Sequence, residues 1–422
     1  MKVFIRNIHL YLGLASGLII VFVCLTGTIL VFEKEIEQTW HSERYFVVPA
    51  STPRLSLAQL TDAVRAYKPK AKITSWKVYA DPARSVEVSL AGAGGPGGKD
   101  GGPKGERSGN GKAKLEGAGR PGGEGRGPGA GKPGEGGPGK GKGKGDGGPR
   151  LYVNPYTAAV LGEINPRETF FHTVEQLHRG LVAGPIGKLV MGINASIFLF
   201  ILGTGLILWW PATRKAMTQR LKVKWGSGWK RLNHDFHIVL GFYASLFLLV
   251  FALTGVGMSF EWITKGINQL TNSPLKRPEP PVSAAPAAGA TTFAADAALT
   301  LARQQAPDAE NYSLQLPKEP TGSIRVAVLR PGAVTENATD EVYLDQYSGQ
   351  VISGQTYAQR PLGQKIRGLF KPIHTGAIFG WPTKILALVI SLLGASFPIT
   401  GTILWLNRIR KNRKKQRTLQ AV

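Results

Sequence analysis

Cysteine is nearly absent from this chain of 422 residues, and its absence excludes several kinds of structure. With Cys24 alone, the chain can form no internal disulfide, no cysteine-based metal site and no Cys-x-x-Cys-His motif for covalent haem attachment. Cys24 lies in an apolar segment, where we interpret it as a small buried side chain. Nucleotide-binding motifs are missing as well, because segments 213–235 and 408–422 lack Gly-x-Gly-x-x-Gly and are too short for a flavin or nicotinamide domain.

Charged residues are absent from four long stretches, which are 7–32, 189–212, 236–260 and 385–407. At about 1.5 Å per residue, each stretch can cross a hydrocarbon core of about 30 Å. The first stretch is too long for the apolar part of a signal peptide, and charged residues follow it where a cleavage site would lie. The sequence therefore predicts an α-helical membrane protein with transmembrane helices at 7–32, 186–212, 236–260 and 383–407.

Acidic residues are also scarce in the three short segments at one end of these helices, which are strongly basic. These segments contribute much of the net charge of +25, and Asp235 is the only acid among them. The positive-inside rule places both termini and the loop 213–235 in the cytoplasm, and the long segments 33–185 and 261–382 on the other side. The basic residues suit contact with membrane lipid, but no segment is long enough to fold as a nucleic-acid-binding domain. They are Lys2, Arg6, Arg214, Lys215, Arg220, Lys222, Lys224, Lys230, Arg231 and the seven basic residues of the tail 408–422.

The two long segments each resemble a small α+β unit with the same order of elements. A helix is predicted at 56–67 and again at 292–305, and short strands follow it in each segment. The turns at 152–157 and 343–348 are similar in sequence at an offset of 191. Within the first unit, residues 92–149 hold half of the glycines and almost no large apolar side chains, so this insert is predicted to be disordered.

The repeat continues into the membrane helices. Helices one and three align at an offset of 228, and helices two and four align at an offset of 196. The unit of helix, α+β domain and helix therefore occurs twice in the same orientation, which implies a pseudo-twofold axis along the membrane normal. The aligned residues are His9 with His237, Gly13 with Gly241, Leu25-Thr26-Gly27 with Leu253-Thr254-Gly255, His178 with His374, Gly184 with Gly380, Thr204-Gly205 with Thr400-Gly401, and Trp209 with Trp405.

Four of the seven histidines have a partner in this repeat. Under the pseudo-twofold symmetry, His9 meets His237 at the cytoplasmic end, and His178 meets His374 at the outer end. Two opposed imidazoles are what a six-coordinate haem iron requires, so these four histidines are the candidate cofactor-binding residues and iron ligands. His234, one turn before His237, is a weaker alternative ligand.

Two other roles compete for these histidines. Zinc would need three or four protein ligands, and two histidines at each level without a matched carboxylate or cysteine fall short of that number. A histidine at a helix end often serves only as a cap or an interfacial side chain, and Thr-Gly pairs in membrane helices often serve only to pack helices together. Four symmetric histidines among otherwise apolar spans favour iron ligation over a structural role.

A continuous second helix would carry His178 far from the membrane, about 54 Å from its cytoplasmic end against a core of about 30 Å. Gly184-Pro185 and its counterpart Gly380-Trp381-Pro382 favour a break in both copies. We therefore predict a separate helix at 166–182, with Asn165 as its N-cap, turned towards the membrane surface, and a matching helix before Gly380.

Several of these patterns together resemble the PepSY-associated transmembrane family. They are the His-x-x-x-Gly that opens helix one, Leu-Thr-Gly near its end, Leu-His-Arg-Gly-Leu at 177–181, Ile-His-Thr-Gly at 373–376, and the two α+β units. The better-understood members of this family are haem-containing inner-membrane reductases of iron-siderophores. The resemblance implies two b-type haems, a bacterial inner membrane and a periplasmic location for the two domains.

The expected function is therefore transmembrane electron transfer from the cytoplasmic haem site to the outer one, and on to a periplasmic acceptor such as a ferric siderophore. No catalytic side chain is expected, because the cofactor carries the chemistry. The electron donor would be a separate protein or a membrane quinol. The alternative is a non-redox module that binds a peptide or a peptidase. A coupled permease is disfavoured, because the spans contain no charged residues.

Overall fold

The computed structural model describes residues 1–92, 148–276, 278–284 and 291–420. The predicted insert lies almost entirely outside these ranges. The helices are α1 (Lys2–Leu30), α2 (Glu33–Trp40), α3 (Ser42–Tyr45), α4 (Leu57–Tyr67), α5 (Phe170–Gly180), α6 (Gly184–Trp209), α7 (Arg214–Arg220), α8 (Trp229–Asp235), α9 (Gly241–Ser259), α10 (Glu261–Leu270), α11 (Ala295–Gln305), α12 (Leu362–His374) and α13 (Trp381–Gln420). The strands are β1 (Ile73–Tyr79), β2 (Val86–Leu90), β3 (Arg150–Val153), β4 (Val160–Ile164), β5 (Asn311–Gln315), β6 (Ile324–Leu329), β7 (Asp340–Leu344) and β8 (Val351–Gln355).

Four of the described helical segments are long and apolar enough to cross a membrane, which confirms the number of predicted spans. They are α1, α6, α13 and a continuous segment, Trp229–Ser259, in which a π-helical turn joins α8 to α9. α13 continues well beyond the predicted end at residue 407, because the basic tail contains neither Gly nor Pro in its described part and so nothing ends the helix.

The four spans form a closed bundle. α1 packs against α6 and α13, and α9 packs against the same two helices from the other side. Leu202, Ala244, Leu248 and Ile390 meet in the bundle interior, whereas outward apolar side chains such as Leu18 remain exposed, as contact with lipid requires. The sheet-containing segments lie between α1 and α6 and between α9 and α13, so both are at the same end of the bundle, which we call the sheet end.

The eight strands form one antiparallel sheet with the order β4-β3-β2-β1-β5-β6-β7-β8. The sequence analysis treated the strands as two separate units, but β1 and β5 pair directly, from Ser75 opposite Gln315 to Tyr79 opposite Asn311. Alternate residues of β1 are buried, because α4 and α11 cover one face of the sheet. A single hydrophobic core results, and its fully buried members include Leu60, Val64, Trp76, Val88, Leu314 and Val326.

Two polar contacts also connect the first half of the chain to the second half. The carboxylate of Asp296, in the first turn of α11, accepts hydrogen bonds from the backbone N–H groups of Leu57 (2.6 Å) and Ala58 (2.9 Å), which open α4. A carboxylate suits this position, because the first N–H groups of a helix have no partner within the helix. The amino group of Lys384, at the start of α13, pairs with Glu35 of α2 at 2.6 Å, which ties the bundle to the sheet-containing part.

The two similar turns use different side chains for the same purpose. Asn154 Oδ1 accepts from the backbone N–H of Tyr156 at 2.8 Å, and Asp345 Oδ1 accepts from Tyr347 at 2.9 Å and from Ser348 at 2.8 Å. Asp345 also accepts from the N–H of Ala284 through Oδ2 at 2.7 Å. These backbone hydrogen bonds, that of Ser348 first, lower the pKa of the buried Asp345 carboxyl to about 2.

Candidate functional site

The break predicted before α6 is confirmed, and it determines where His178 lies. α5 ends at Gly180, Leu181 and Val182 adopt left-handed backbone conformations with φ of 51° and 56°, and α6 begins at Gly184. α5 therefore folds back and packs against both α1 and α6 instead of extending the membrane helix. In the second half, α12 ends at His374 and a short turn leads to α13 at Trp381, so that α12 packs against α9.

The predicted start of the first short helix was wrong. α5 begins at Phe170 and not at Pro166, and its N-cap is Thr169, whose hydroxyl oxygen accepts from the backbone N–H of His172 at 3.1 Å. Asn165 instead closes a local turn by accepting from the N–H of Arg167 at 3.2 Å. Both residues are good cap formers, and the one next to the amphipathic segment caps the helix.

His178 and His374 lie side by side at the sheet end of the bundle. Their ring centroids are 6.1 Å apart and the ring planes differ by 65°. Two bonds of about 2 Å from a first-row metal ion to imidazole nitrogens, with the distance from each nitrogen to its own ring centroid, add up to about 6 Å. The separation therefore fits one metal ion held between the two imidazoles.

Each of these imidazoles is oriented by a threonine of a membrane helix. Nδ1 of His178 lies 3.0 Å from Thr26 Oγ1, and the Thr26 hydroxyl donates its hydrogen to the carbonyl groups of its own helix at Phe22 and Val23. Because that hydrogen is already used, the Thr26 oxygen accepts, and Nδ1 of His178 carries the proton. The lone pair is then on Nε2, which is the form of imidazole that binds a metal ion.

The same contact occurs at all four candidate histidines. His374 Nδ1–H donates to Thr254 Oγ1 and to the Phe251 carbonyl, both at 3.0 Å. His9 Nδ1–H donates to Thr204 Oγ1 at 3.0 Å and to the Ile201 carbonyl at 3.1 Å, and His237 Nδ1–H donates to Thr400 Oγ1 at 2.9 Å. A carbonyl oxygen can only accept, which independently assigns the Nδ1 proton at His9 and His374.

A glycine follows each of these threonines, and the imidazole packs where its side chain would be. A Cβ atom at Gly27 would stand 3.2 Å from Cε1 of His178, which is closer than ordinary van der Waals contact. Gly205 and Gly401 make the same close approach, at 3.2 Å to Cε1 of His9 and 3.1 Å to Cε1 of His237, whereas the corresponding distance of 3.4 Å from Gly255 to His374 is an ordinary contact. We call each such combination a Thr-Gly cradle, and the four cradles are Thr26-Gly27, Thr204-Gly205, Thr254-Gly255 and Thr400-Gly401.

The cradles connect the helices in a crossed pattern. α1 carries His9, and its Thr26 contacts His178. His9 is in turn contacted by Thr204 of α6. In the other half, the span that contains α9 carries His237 and holds His374, while α13 holds His237. Each half of the chain therefore orients both of its own histidines, and each pair of histidines combines one from each half.

His9 and His237 line a common cavity of about 500 Å³ at the end of the bundle away from the sheet. The volume lies within the range of about 300 to 1,000 Å³ that is usual for cofactor sites, and most of the lining is apolar. Trp209 also lines this cavity and stacks on Phe242 at 3.7 Å. Its buried Nε1–H has no hydrogen-bond acceptor among the described residues, as expected where a ligand completes the site. The charged residues around the cavity are Arg6, Arg220 and Arg408.

His234, the alternative ligand, lines the same cavity as His9 and His237. His234 Nδ1 faces the carboxylate of Asp235 at 3.2 Å and not a Thr-Gly cradle. The remaining two histidines also lie outside the pairs: His41 is near Glu43, and His172 is near Gln176. In the described ranges, no three His, Cys, Asp or Glu side chains come together as a zinc site would require.

The repeat in the sequence points to the four histidines but not to the role of the four threonines. Aligned Thr-Gly pairs in membrane helices are typical of helix packing, and nothing in the pattern links them to a histidine. A further signal was present, because Thr26 follows His9 by 17 residues and Thr254 follows His237 by the same number. At about 1.5 Å per residue, this spacing separates the two histidine levels by about 25 Å along the bundle.

Comparison with known proteins gives one result. The model of a protein family described as the PepSY-associated TM region matches residues 6–408. No curated protein matches the chain in sequence.

Proposed function

Because this chain belongs to the PepSY-associated TM region family and carries two pairs of oriented histidines, we propose that it transfers electrons across a membrane through two b-type haems. The single observation that carries the proposal is one contact that recurs at four imidazoles in two pairs: each Nδ1 lies 2.9 to 3.0 Å from a threonine Oγ1, which leaves Nε2 available as a ligand. A histidine that only packs between helices does not require a fixed ring orientation, and here the same orienting contact occurs at four histidines.

The residues fit haem better than a bare metal ion. Two imidazoles at each level would supply the number of protein ligands that a b-type haem requires, and they fall short of the ligand number for zinc. The apolar cavity beside His9 and His237 suits a flat macrocycle, and Arg6, Arg220 and Arg408 at its edge suit carboxylate groups on such a cofactor. When bound, haem supplies reversible one-electron chemistry that no side chain offers.

The chain's own residues then perform three tasks. The histidines would hold the two irons, the cradles fix the ring orientations, and the apolar bundle between the two levels keeps water away. The levels are about 25 Å apart, close to the thickness of the hydrocarbon core, so one site lies near each membrane surface. No acid, base or nucleophile is required.

The orientation of the chain in the membrane follows from the distribution of charge. We place both termini and the loop 213–235 in the cytoplasm of a bacterium, because their excess of Lys and Arg follows the positive-inside rule, and we place the sheet-containing part in the periplasm. An electron from a separate protein or a membrane quinol would enter near His9 and His237. It would leave near His178 and His374 to a periplasmic acceptor, for which a ferric siderophore is the proposed substrate. On this proposal the chain is an oxidoreductase, an iron-siderophore reductase.

The test is the visible spectrum of the purified full chain, oxidised and then reduced with dithionite, together with the haem-to-protein ratio. We expect two low-spin haems per chain. His178→Ala should remove one of them, whereas His172→Ala on the same helix, outside both pairs, should leave both in place. A colourless wild-type chain with its native fold would contradict the proposal and favour a non-redox module that binds a peptide.

A further inference from the structure

The cradle threonines carry an inference that rests on the proposed function and extends it to residues outside the ligand set. We infer that Thr26, Thr204, Thr254 and Thr400 are positioning residues that set both the orientation and the donor strength of the iron-binding histidines. Each one acts on a histidine carried by a different helix from its own. Thr204 and Thr400 lie in α6 and α13, which carry none of the four histidines. Thr26 and Thr254 act at the sheet end, although their own helices contribute His9 and His237 to the opposite end.

The first step is the fixed role of each hydroxyl. Thr26, Thr204, Thr254 and Thr400 all donate to carbonyl groups of their own helices, at 2.8 to 3.1 Å. A hydroxyl has one hydrogen, so each oxygen is left as an acceptor aimed at an imidazole Nδ1. Valine has the same shape as threonine but no acceptor, and it would leave a buried N–H partly unpaired.

The second step concerns the strength of the ligand. A hydrogen bond from Nδ1–H to an acceptor raises the basicity of the opposite nitrogen, Nε2. A more basic ligand stabilises the oxidised iron more than the reduced iron, so the hydrogen bond lowers the reduction potential of a bound haem. Removing the acceptor should therefore raise the potential of one haem and weaken its binding.

The third step is the crossed connection. Thr26 and His9 both belong to α1, but Thr26 contacts His178, so it acts at the sheet end of the bundle, on the His178 and His374 pair. Thr400 of α13 contacts His237 and acts at the opposite end. The inference therefore predicts that a threonine variant and a histidine variant on the same helix affect different haems.

The experiment compares Thr26→Val, Thr26→Ser and Thr28→Val in the full chain. Thr28 is a matched control, because it lies on the same helix and donates to the Cys24 carbonyl at 2.9 Å in the same way, but it contacts no histidine. The readouts are the haem-to-protein ratio, the affinity for added haem and the midpoint potential of each haem in a redox titration. Thr400→Val, on another helix, provides a second variant in case Thr26→Val does not fold.

We expect Thr26→Val to weaken the binding of one haem by about 10-fold or more and to raise its potential. The affected haem should be the one that His178→Ala removes. Thr26→Ser should restore both quantities, and Thr28→Val should resemble wild type. Thr400→Val should act on the other haem, the one that His237→Ala removes.

Two results would overturn the inference and leave the proposed function intact. One is a haem-loaded Thr26→Val chain with unchanged affinity and potential. The other is an effect on the haem that His9→Ala removes, since the crossed connection would then be wrong. A wild-type chain that binds no haem contradicts the proposed function itself.

Discussion

The imidazoles of His178 and His374 lie with their ring centroids 6.1 Å apart, although the two residues are 196 positions apart in the sequence. Neither residue belongs to a membrane span. Each stands near the end of a short helix that folds back against the bundle, and each is fixed there by a threonine of a neighbouring span. The pair therefore depends on both halves of the chain being folded and correctly placed.

The pairing predicts a specific pattern in double variants. His178→Ala and His374→Ala should each remove the same haem, and the double variant should lose no more haem than either single variant, because one missing ligand already opens the site. His178→Ala combined with His9→Ala should lose both haems. The haem-to-protein ratio of the four purified variants measures this pattern, and additive losses from His178→Ala and His374→Ala would show that the two residues serve different sites.

The cradle glycines predict an effect of adding a single methyl group. Gly205→Ala places a Cβ atom 3.2 Å from Cε1 of His9, so the ring must shift by a few tenths of an ångström. We expect a changed spectrum or reduced occupancy for the haem at the end away from the sheet. Gly203→Ala is the control, because it lies two residues away on α6 with no atom within 4 Å of the added group. Equal effects of the two substitutions would exclude a special role for Gly205.

The ion pair of Lys384 with Glu35 predicts a coupling between the bundle and the sheet-containing part. The two side chains are only 11% and 27% exposed, and Glu35 Oε2 has no other partner among the described residues. Lys384→Met should lower the free energy of unfolding by about 2 kcal/mol, since it leaves a carboxylate partly buried without its counter-charge. Lys384→Met with Glu35→Gln should recover part of that loss. Chemical unfolding in detergent measures the free energy of unfolding of these variants and of Glu35→Gln alone. If the effects of the two single substitutions simply add in the double variant, the pair does not contribute.

The Asp345 turn predicts a dependence of stability on pH. The folded-state pKa of about 2 lies below the ordinary value of about 3.9, so the unfolded chain takes up a proton first as the pH falls. The stabilising contribution, about 2 kcal/mol, is therefore complete above about pH 4 and is lost between about pH 4 and pH 2. Asp345→Asn should be less stable than wild type at pH 7, and the difference should shrink to about one third at pH 2.5, where the folded carboxyl is still partly ionised. An unchanged difference at the two pH values would contradict the assignment.

The absence of charge was enough to predict the four spans, because a lipid environment excludes charged residues and no alternative structure fits such lengths. The histidine pairs could be selected from the repeat, and the break before α6 from Gly184-Pro185. The predictions of the spans and of the break succeeded because each depends on local composition or on one strong backbone restriction.

The missed features depend on contacts between distant segments. Whether Thr26 faces lipid, another helix or His178 depends on the rotation of α1 within the bundle, and both kinds of position look alike in an apolar sequence. The pairing of β1 with β5 is equally hidden, because an alternating strand predicts a buried face but does not identify its neighbour. The start of α5 was missed because Asn165 and Thr169 are both good N-caps.

The pairing of β1 with β5 restricts how the two halves of the chain can move relative to each other. Five residue pairs, from Ser75 with Gln315 to Tyr79 with Asn311, connect the two halves by backbone hydrogen bonds above the bundle. A carrier that works by alternating access must rock one half against the other, and here such a movement would have to break that ladder. On the proposed function, the distance between the two histidine levels would instead stay constant. The rate of electron transfer through a bundle joined in this way would depend on the reduction potentials of its two sites and hardly at all on the viscosity of the surrounding lipid.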